Sequence, residues 1–288
     1  MHIAVSSYSF TKLMNCGKMT QIDCIRKARE MGFDAVELVD VIPHDGSSKE
    51  AYAHRLASEL KETGMELSNF TFSADFLHGC EADTQKEIDR VKSMVDLAHV
   101  LGARSIRHDA TVSAGKYRTF ELALPVLADA CRQVTTYAQQ LGIRTMVENH
   151  GTFCQDSDRV EALVSAVNHP NFGLLVDMGN FLCVDESPEK AVSRVAPLAF
   201  YVHAKDFFFT PAEGANPGEG AFLTRGGNYL RGTIIGHGCV PVRQCLKILK
   251  LAGYTGAVAI EFEGMEEPIE AIRIGLANLR RYIKEIEQ

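Results

Sequence analysis

Short β-branched apolar runs alternate with amphipathic stretches along this chain, and they begin near His2, Asp34, Met65, Arg104, Ile143, Phe172, Leu198 and Ala257. Most of these starts lie about 30 residues apart, the length of a strand plus the helix that returns the chain parallel to it. Eight such units in succession restrict the fold more than any other feature. They predict an α/β chain folded as a (β/α)8 TIM barrel, a parallel eight-stranded barrel with outer helices. A barrel of this kind is one domain of about 250 residues, so a chain of 288 residues is expected to form a single domain over 1–288.

The helix ends are also marked. Gly precedes the next strand in Met31-Gly32-Phe33, Thr63-Gly64-Met65, Leu101-Gly102-Ala103, Leu141-Gly142-Ile143 and Ala252-Gly253-Tyr254. Gly at a helix C-terminus adopts the left-handed conformation without steric cost and reverses the chain into a strand. Near the end of the chain, Ile269, Ile272, Leu276, Leu279, Ile283 and Ile286 share one helical face, as an outer helix closing the ring requires.

Hydrophobic residues make up 46% and charged residues 23% of the chain, with no apolar run long enough to span a bilayer. The N-terminal run carries no basic leader, so a cytoplasmic location is expected. Eight cysteines at irregular spacings, without a Cys-x-x-Cys pair, read as reduced thiols rather than a zinc or redox motif. A net charge of −7 without a Lys/Arg block offers no footprint for a nucleic-acid backbone.

One interval breaks the cadence. About 35 residues separate the strand ending near Asp206 from the helix beginning near Pro241. Residues 207–240 mix glycines with Asn228, Tyr229, Arg225, Arg231 and His237, and are expected to form an ordered substrate lid.

In such barrels the reactive groups sit at the C-terminal ends of the strands. Glu148, Asp177, His203 and Glu261 end the fifth to eighth apolar runs and are expected to converge on one mouth. Three carboxylates and one imidazole without a thiolate suit one divalent ion, Mn²⁺ first, with Mg²⁺, Co²⁺ or Fe²⁺ as alternatives and Zn²⁺ behind them. Without a cation, three crowded carboxylates would repel one another or take up protons.

Val147-Glu148-Asn149-His150-Gly151, Val176-Asp177-Met178-Gly179-Asn180 and His203-Ala204-Lys205-Asp206 carry a resemblance that extends from Gly32-Phe33-Asp34-Ala35-Val36-Glu37-Leu38 to Glu261. The chain resembles the xylose-isomerase-like sugar phosphate isomerase/epimerase superfamily. That group includes ketose 3-epimerases, hydroxypyruvate isomerases, inosose dehydratases and metal-dependent apurinic endonucleases. The resemblance implies that Glu148, Asp177, His203 and Glu261 are metal ligands, that Glu148 and Glu261 double as the acid/base pair, and that the chain forms a homo-oligomer. It implies a sugar or polyol substrate and an isomerase or epimerase working through an enediolate. A lyase or dehydratase acting on a 3-keto-glycoside or inosose is the alternative; an endonuclease or a noncatalytic sugar-binding barrel ranks lower. The ketose epimerase branch carries His three residues after the motif Asp, where this chain has Asn180, an amide that binds hydroxyls but cannot shuttle a proton.

Further candidates surround that set. His108 ends the fourth run as a base, a substrate contact or a buried structural histidine, and His150 follows Glu148 by two positions as an orienting or substrate group. Lys205 shares the face of His203 by the period of two and is placed to neutralise an oxyanion or to pair with a carboxylate. Glu37 is read as a hydroxyl ligand or a rim salt bridge, and Arg225 and Arg231 as an anion clamp or solvated lid charges. Tyr8 and Phe10 offer aromatic surface for a sugar face.

Overall fold

The computed structural model describes residues 1–288. Eight parallel strands close a barrel: β1 (His2–Ser6), β2 (Ala35–Val39), β3 (Glu66–Phe72), β4 (Ser105–His108), β5 (Arg144–Glu148), β6 (Phe172–Asp177), β7 (Ala199–Ala204) and, after an insertion, β11 (Ala257–Ile260). Each begins within one residue of the start read from the apolar pattern. β11 lies between β1 and β7 and completes the ring. Helices such as Gln21–Met31 and Glu81–Leu101 end on left-handed glycines, Gly32 and Gly102, and cover the outside. The C-terminal helix Pro268–Glu287 buries Ile272, Leu276, Leu279 and Ile283. No helix is long and apolar enough to cross a membrane.

The period of two along each strand builds the interior in layers. A floor of Ala4, Ala35, Met146, Leu175, Tyr201, Ala257 and Ala259 forms one buried cluster, separate from the large apolar layer between strands and helices. Two residues further along the same strands stand Ser6, Glu37, Glu148, Asp177, His203 and Glu261, all buried polar groups. The polar site is thus the layer directly above an apolar floor. Because the floor residues are mostly small, the lumen has room for the larger polar side chains above them.

Between β7 and the helix Val242–Leu251 the chain forms a three-stranded antiparallel sheet of β8 (Asp206–Thr210), β9 (Phe222–Leu223) and β10 (Tyr229–Thr233) in the order β8-β10-β9. Its base is held by Asp206, whose carboxylate accepts from the backbone N–H groups of Phe207, Gly236, Gly238 and Val240 at 2.8–3.0 Å. A Cβ on Gly238 would collide with this carboxylate, so the turn closes only around glycine. Its far end is tied down by Asp185, which accepts from Thr224 Oγ1, Gly226 N and Asn228 Nδ2 at 2.6–2.7 Å.

Candidate metal centre

Glu148 and Asp177 end β5 and β6, His203 lies on β7, and Glu261 directly follows β11. All four are buried, and one ligand atom from each lies within 4.8 Å of the others. The backbone fixes them closely. Asp177 Oδ1 accepts from Gly179 N (2.8 Å) and Asn180 N (3.0 Å), while Asn149 brackets the Asp177 peptide with a pair of 2.9 Å hydrogen bonds. His203 Nε2 stands 3.0 Å from both carboxylate oxygens of Glu37.

Two atoms in this group have no hydrogen-bond partner: Asp177 Oδ2 and His203 Nδ1, both buried. His203 Nδ1 lies 3.9 Å from Asp177 Oδ2 and 3.6 Å from Glu261 Oε1, too far for hydrogen bonding but near the spacing of about 3 Å that ligands of one ion adopt. Buried polar atoms without a hydrogen bond are costly, and although the Lys205 ammonium lies 3.2 Å from Asp177 Oδ2, an ion seated between that oxygen and His203 Nδ1 would satisfy both. The group can therefore hold a divalent metal ion, and its O₃N donors suit a hard or borderline one.

Two buried cations surround it. Lys205 Nζ lies 2.6 Å from Glu261 Oε2, 3.2 Å from Asp177 Oδ2 and 3.3 Å from Glu263 Oε2. Burial opposes the charge on Lys205, but Asp177, Glu261 and Glu263 outweigh it and raise its pKa well above the ordinary value. Burial would raise Glu261, yet Lys205 and His203 hold it well below the usual carboxylate range. Asp177, the most enclosed, is pushed up to about 6 by burial, against the pull of Lys205. On the other side, Arg107 Nε lies 2.8 Å from Glu148 Oε2 as an ion pair without hydrogen-bond alignment, and its Nη2 donates to Asp109 Oδ1 at 2.7 Å.

The remaining sequence candidates divide. Asn180 faces the centre, where its Nδ2 donates to Glu148 Oε1 at 2.8 Å and its Oδ1 accepts from Lys205 at 3.2 Å. His150 stands at the rim with its side chain 46% exposed and its Nδ1 2.9 Å from Asp109 Oδ1. Tyr8 is exposed at the rim, in the short 3₁₀ turn Ser7–Phe10 after β1, whereas Phe10 is fully buried in the core.

Three expectations are corrected. His108 points away from the lumen, because Ser105 and Arg107 take the inward positions of β4. Its ring packs near Phe72 and Phe76, its Nδ1 sits 2.9 Å from the Asp109 carbonyl, and burial lowers its pKa to about 4. Glu37 is not a rim group: it is fully buried in the same layer as His203, and its carboxylate faces His203 Nε2. Arg225 is not a free clamp: its guanidinium forms a paired contact with Asp156 and donates to the Thr152 carbonyl, pinning the inserted sheet to the loop after β5. Arg231 lies over the Phe208 ring.

Arg107, Asp109 and Glu263 were not singled out from the sequence. For Arg107 the signal was present, since counting by two from Ser105 puts Arg107 and not His108 inside the barrel.

The model of the xylose isomerase-like TIM barrel family matches residues 25–282, and the chain belongs to that family. Among curated relatives, it is 26% identical over 269 residues to an inosose dehydratase of Clostridium beijerinckii, covering 88% of this chain and 85% of that protein. The IOLI protein, solved with a bound zinc atom, superposes with a TM-score of 0.79 at 17% identity, covering 99% of both chains. An L-ribulose 3-epimerase superposes with a TM-score of 0.74 at 15% identity, covering 99% of this chain and 95% of that one. At these identities the two structures speak for the fold alone.

Proposed function

We propose that the protein is a divalent-metal-dependent lyase that removes water from a keto-polyol of the inosose type, with Glu148, Asp177, His203 and Glu261 holding one ion, Mn²⁺ by preference. The observation that carries this reading is the convergence of one ligand atom each from Glu148, Asp177, His203 and Glu261 within 4.8 Å of one another, with Asp177 Oδ2 and His203 Nδ1 buried and without hydrogen bonds. The match along most of the chain to an inosose dehydratase supports the substrate class. When bound, the ion supplies Lewis acidity that makes the hydrogen beside a carbonyl easier to remove.

The chain's own groups do the rest. Glu148 takes the proton next to the carbonyl; Arg107 and Asn180 fix the orientation of its carboxylate. Lys205 and Glu261 flank the opposite side, where the ammonium stabilises negative charge developing on the substrate oxygen. His150, backed by Asp109, gives a proton to the departing β-hydroxyl, so one C–H and one C–O bond break and water leaves. Burial opposes a charge on His150, but the Asp109 hydrogen bond prevails and raises its pKa. Isomerisation would share the first step and return the proton to carbon, a task for which Glu148 and Glu261 suffice. The extra donor at the rim favours elimination. The sheet β8–β10 acts as the lid, and the eight free thiols fit a reducing cytoplasm.

The test is mass spectrometry after incubation of the Mn²⁺-loaded protein with inososes. The expected product is lighter by one water and is absent after EDTA treatment. An isomer of unchanged mass would replace elimination by isomerisation.

A further inference from the structure

Glu37 is fully buried, two residues above the Ala35 floor of β2. A carboxylate in such a place is costly unless its oxygens are occupied. Ser6 Oγ donates to Oε1 at 2.9 Å and Asn69 Nδ2 donates to Oε2 at 3.3 Å. Asn69 is held in that orientation by Ser105, whose hydroxyl donates to Asn69 Oδ1 at 2.8 Å. The remaining face of the carboxylate meets His203 Nε2, 3.0 Å from both oxygens. Tyr201 packs edge-on to the imidazole, with ring centroids 5.8 Å apart, and limits its rotation.

We infer that Glu37 is a positioning residue for the metal centre: it holds His203 with the proton on Nε2, so that the lone pair of Nδ1 faces the point shared with Asp177 and Glu261. A neutral imidazole has one donor and one acceptor nitrogen. Glu37 only accepts at this position, so Nε2 is the donor and Nδ1 the acceptor. Nδ1 is the nitrogen left without a partner. A carboxylate behind a ligating histidine fixes its tautomer and ring orientation and raises its basicity. Ser6, Asn69 and Ser105 extend this hold to β1, β3 and β4, so four strands aim one nitrogen. The inference rests on the reading that the four-residue group binds a divalent ion; it does not depend on which reaction follows.

The test is calorimetric titration of Mn²⁺ into the metal-stripped full chain, comparing wild type, Glu37→Gln, His203→Asn and the double variant. Gln has the same shape, but its amide can turn its NH₂ toward Nε2 and move the imidazole proton to Nδ1, where it blocks the metal. Glu37→Gln is expected to weaken Mn²⁺ binding by about 10–100-fold. In the His203→Asn background the same change has no further effect. A purely structural Glu37 would weaken binding equally in both backgrounds, and that result, or unchanged affinity in Glu37→Gln, overturns the inference. If the Gln variant melts below the assay temperature, Glu37→Asp takes its place; it keeps the charge, withdraws it by one methylene, and is expected to give an intermediate loss, with wild-type affinity overturning the inference. Absence of Mn²⁺ binding by the wild type would defeat the metal-centre reading itself, a result distinct from either of these.

Discussion

The Lys205 ammonium lies 2.6 Å from Oε2 of Glu261, inside a barrel layer that also holds Asp177 and Glu263. This contact makes Lys205 the positive charge that balances the carboxylates in the metal-free protein. Replacing it with Met leaves them uncompensated and is expected to destabilise the metal-free protein by about 3–5 kcal/mol, the usual cost of removing one partner of a buried pair. Mn²⁺ should recover much of that loss, so the metal-dependent rise in melting temperature should be larger in Lys205→Met than in wild type. Equal rises in the two proteins would show that Lys205 is not coupled to the centre.

Glu148 and Glu261 are assigned the proton transfers. Glu148→Gln and Glu261→Gln should each lower kcat by about 100-fold or more, the scale of a lost general acid or base, while circular dichroism stays that of the folded barrel. Full activity in either variant would remove that residue from the chemistry.

His108 gives the pH prediction. Its pKa is lowered to about 4 by burial, from the ordinary 6.5, so the unfolded chain binds a proton between these values that the native state does not. Native stability from this residue is therefore present above pH 6.5 and lost as pH falls toward 4, by an amount on the order of 3 kcal/mol. Asp177, raised to about 6, works in the opposite direction over part of the same range, so the difference between variant and wild type is the informative quantity. Urea unfolding of His108→Phe should gain on wild type as the pH drops from 7.5 to 4. A constant gap would mean that His108 is protonated within the fold.

The inserted sheet is held by carboxylates. Arg225→Ala cuts a partly exposed tie to Asp156 and should change stability by less than about 1 kcal/mol, while raising KM through a looser lid. Asp206→Asn removes half of an acceptor pair that serves four backbone N–H groups and should cost about 1–3 kcal/mol, with faster proteolysis within 207–240. If Arg225→Ala left KM unchanged, the sheet would not be acting as a lid.

The barrel was legible because its strands repeat at nearly even intervals and because a period of two carries the floor residues Met146, Leu175 and Tyr201 into Glu148, Asp177 and His203. The same rule, applied to β4, identifies Arg107, whereas the strand-end position of His108 points to the wrong side chain. Glu37 was visible as a strand-end carboxylate, and its partner was not, since His203 lies 166 residues away and meets it only when the ring closes. The order within 207–240 was equally hidden. Its anchors, Asp156 and Asp185, sit in other loops, and no local pattern announces pairs 39–69 residues apart.

The central claim is that this barrel mouth removes a proton beside a carbonyl, and proton NMR in D₂O with inososes tests it most directly. The Mn²⁺-loaded protein, freed of the paramagnetic ion after incubation, should have exchanged deuterium into the substrate position beside the carbonyl or eliminated water from it, and Glu148→Gln should do neither. Intact, unexchanged inososes and keto-sugars after incubation with the metal-loaded wild type would contradict the account.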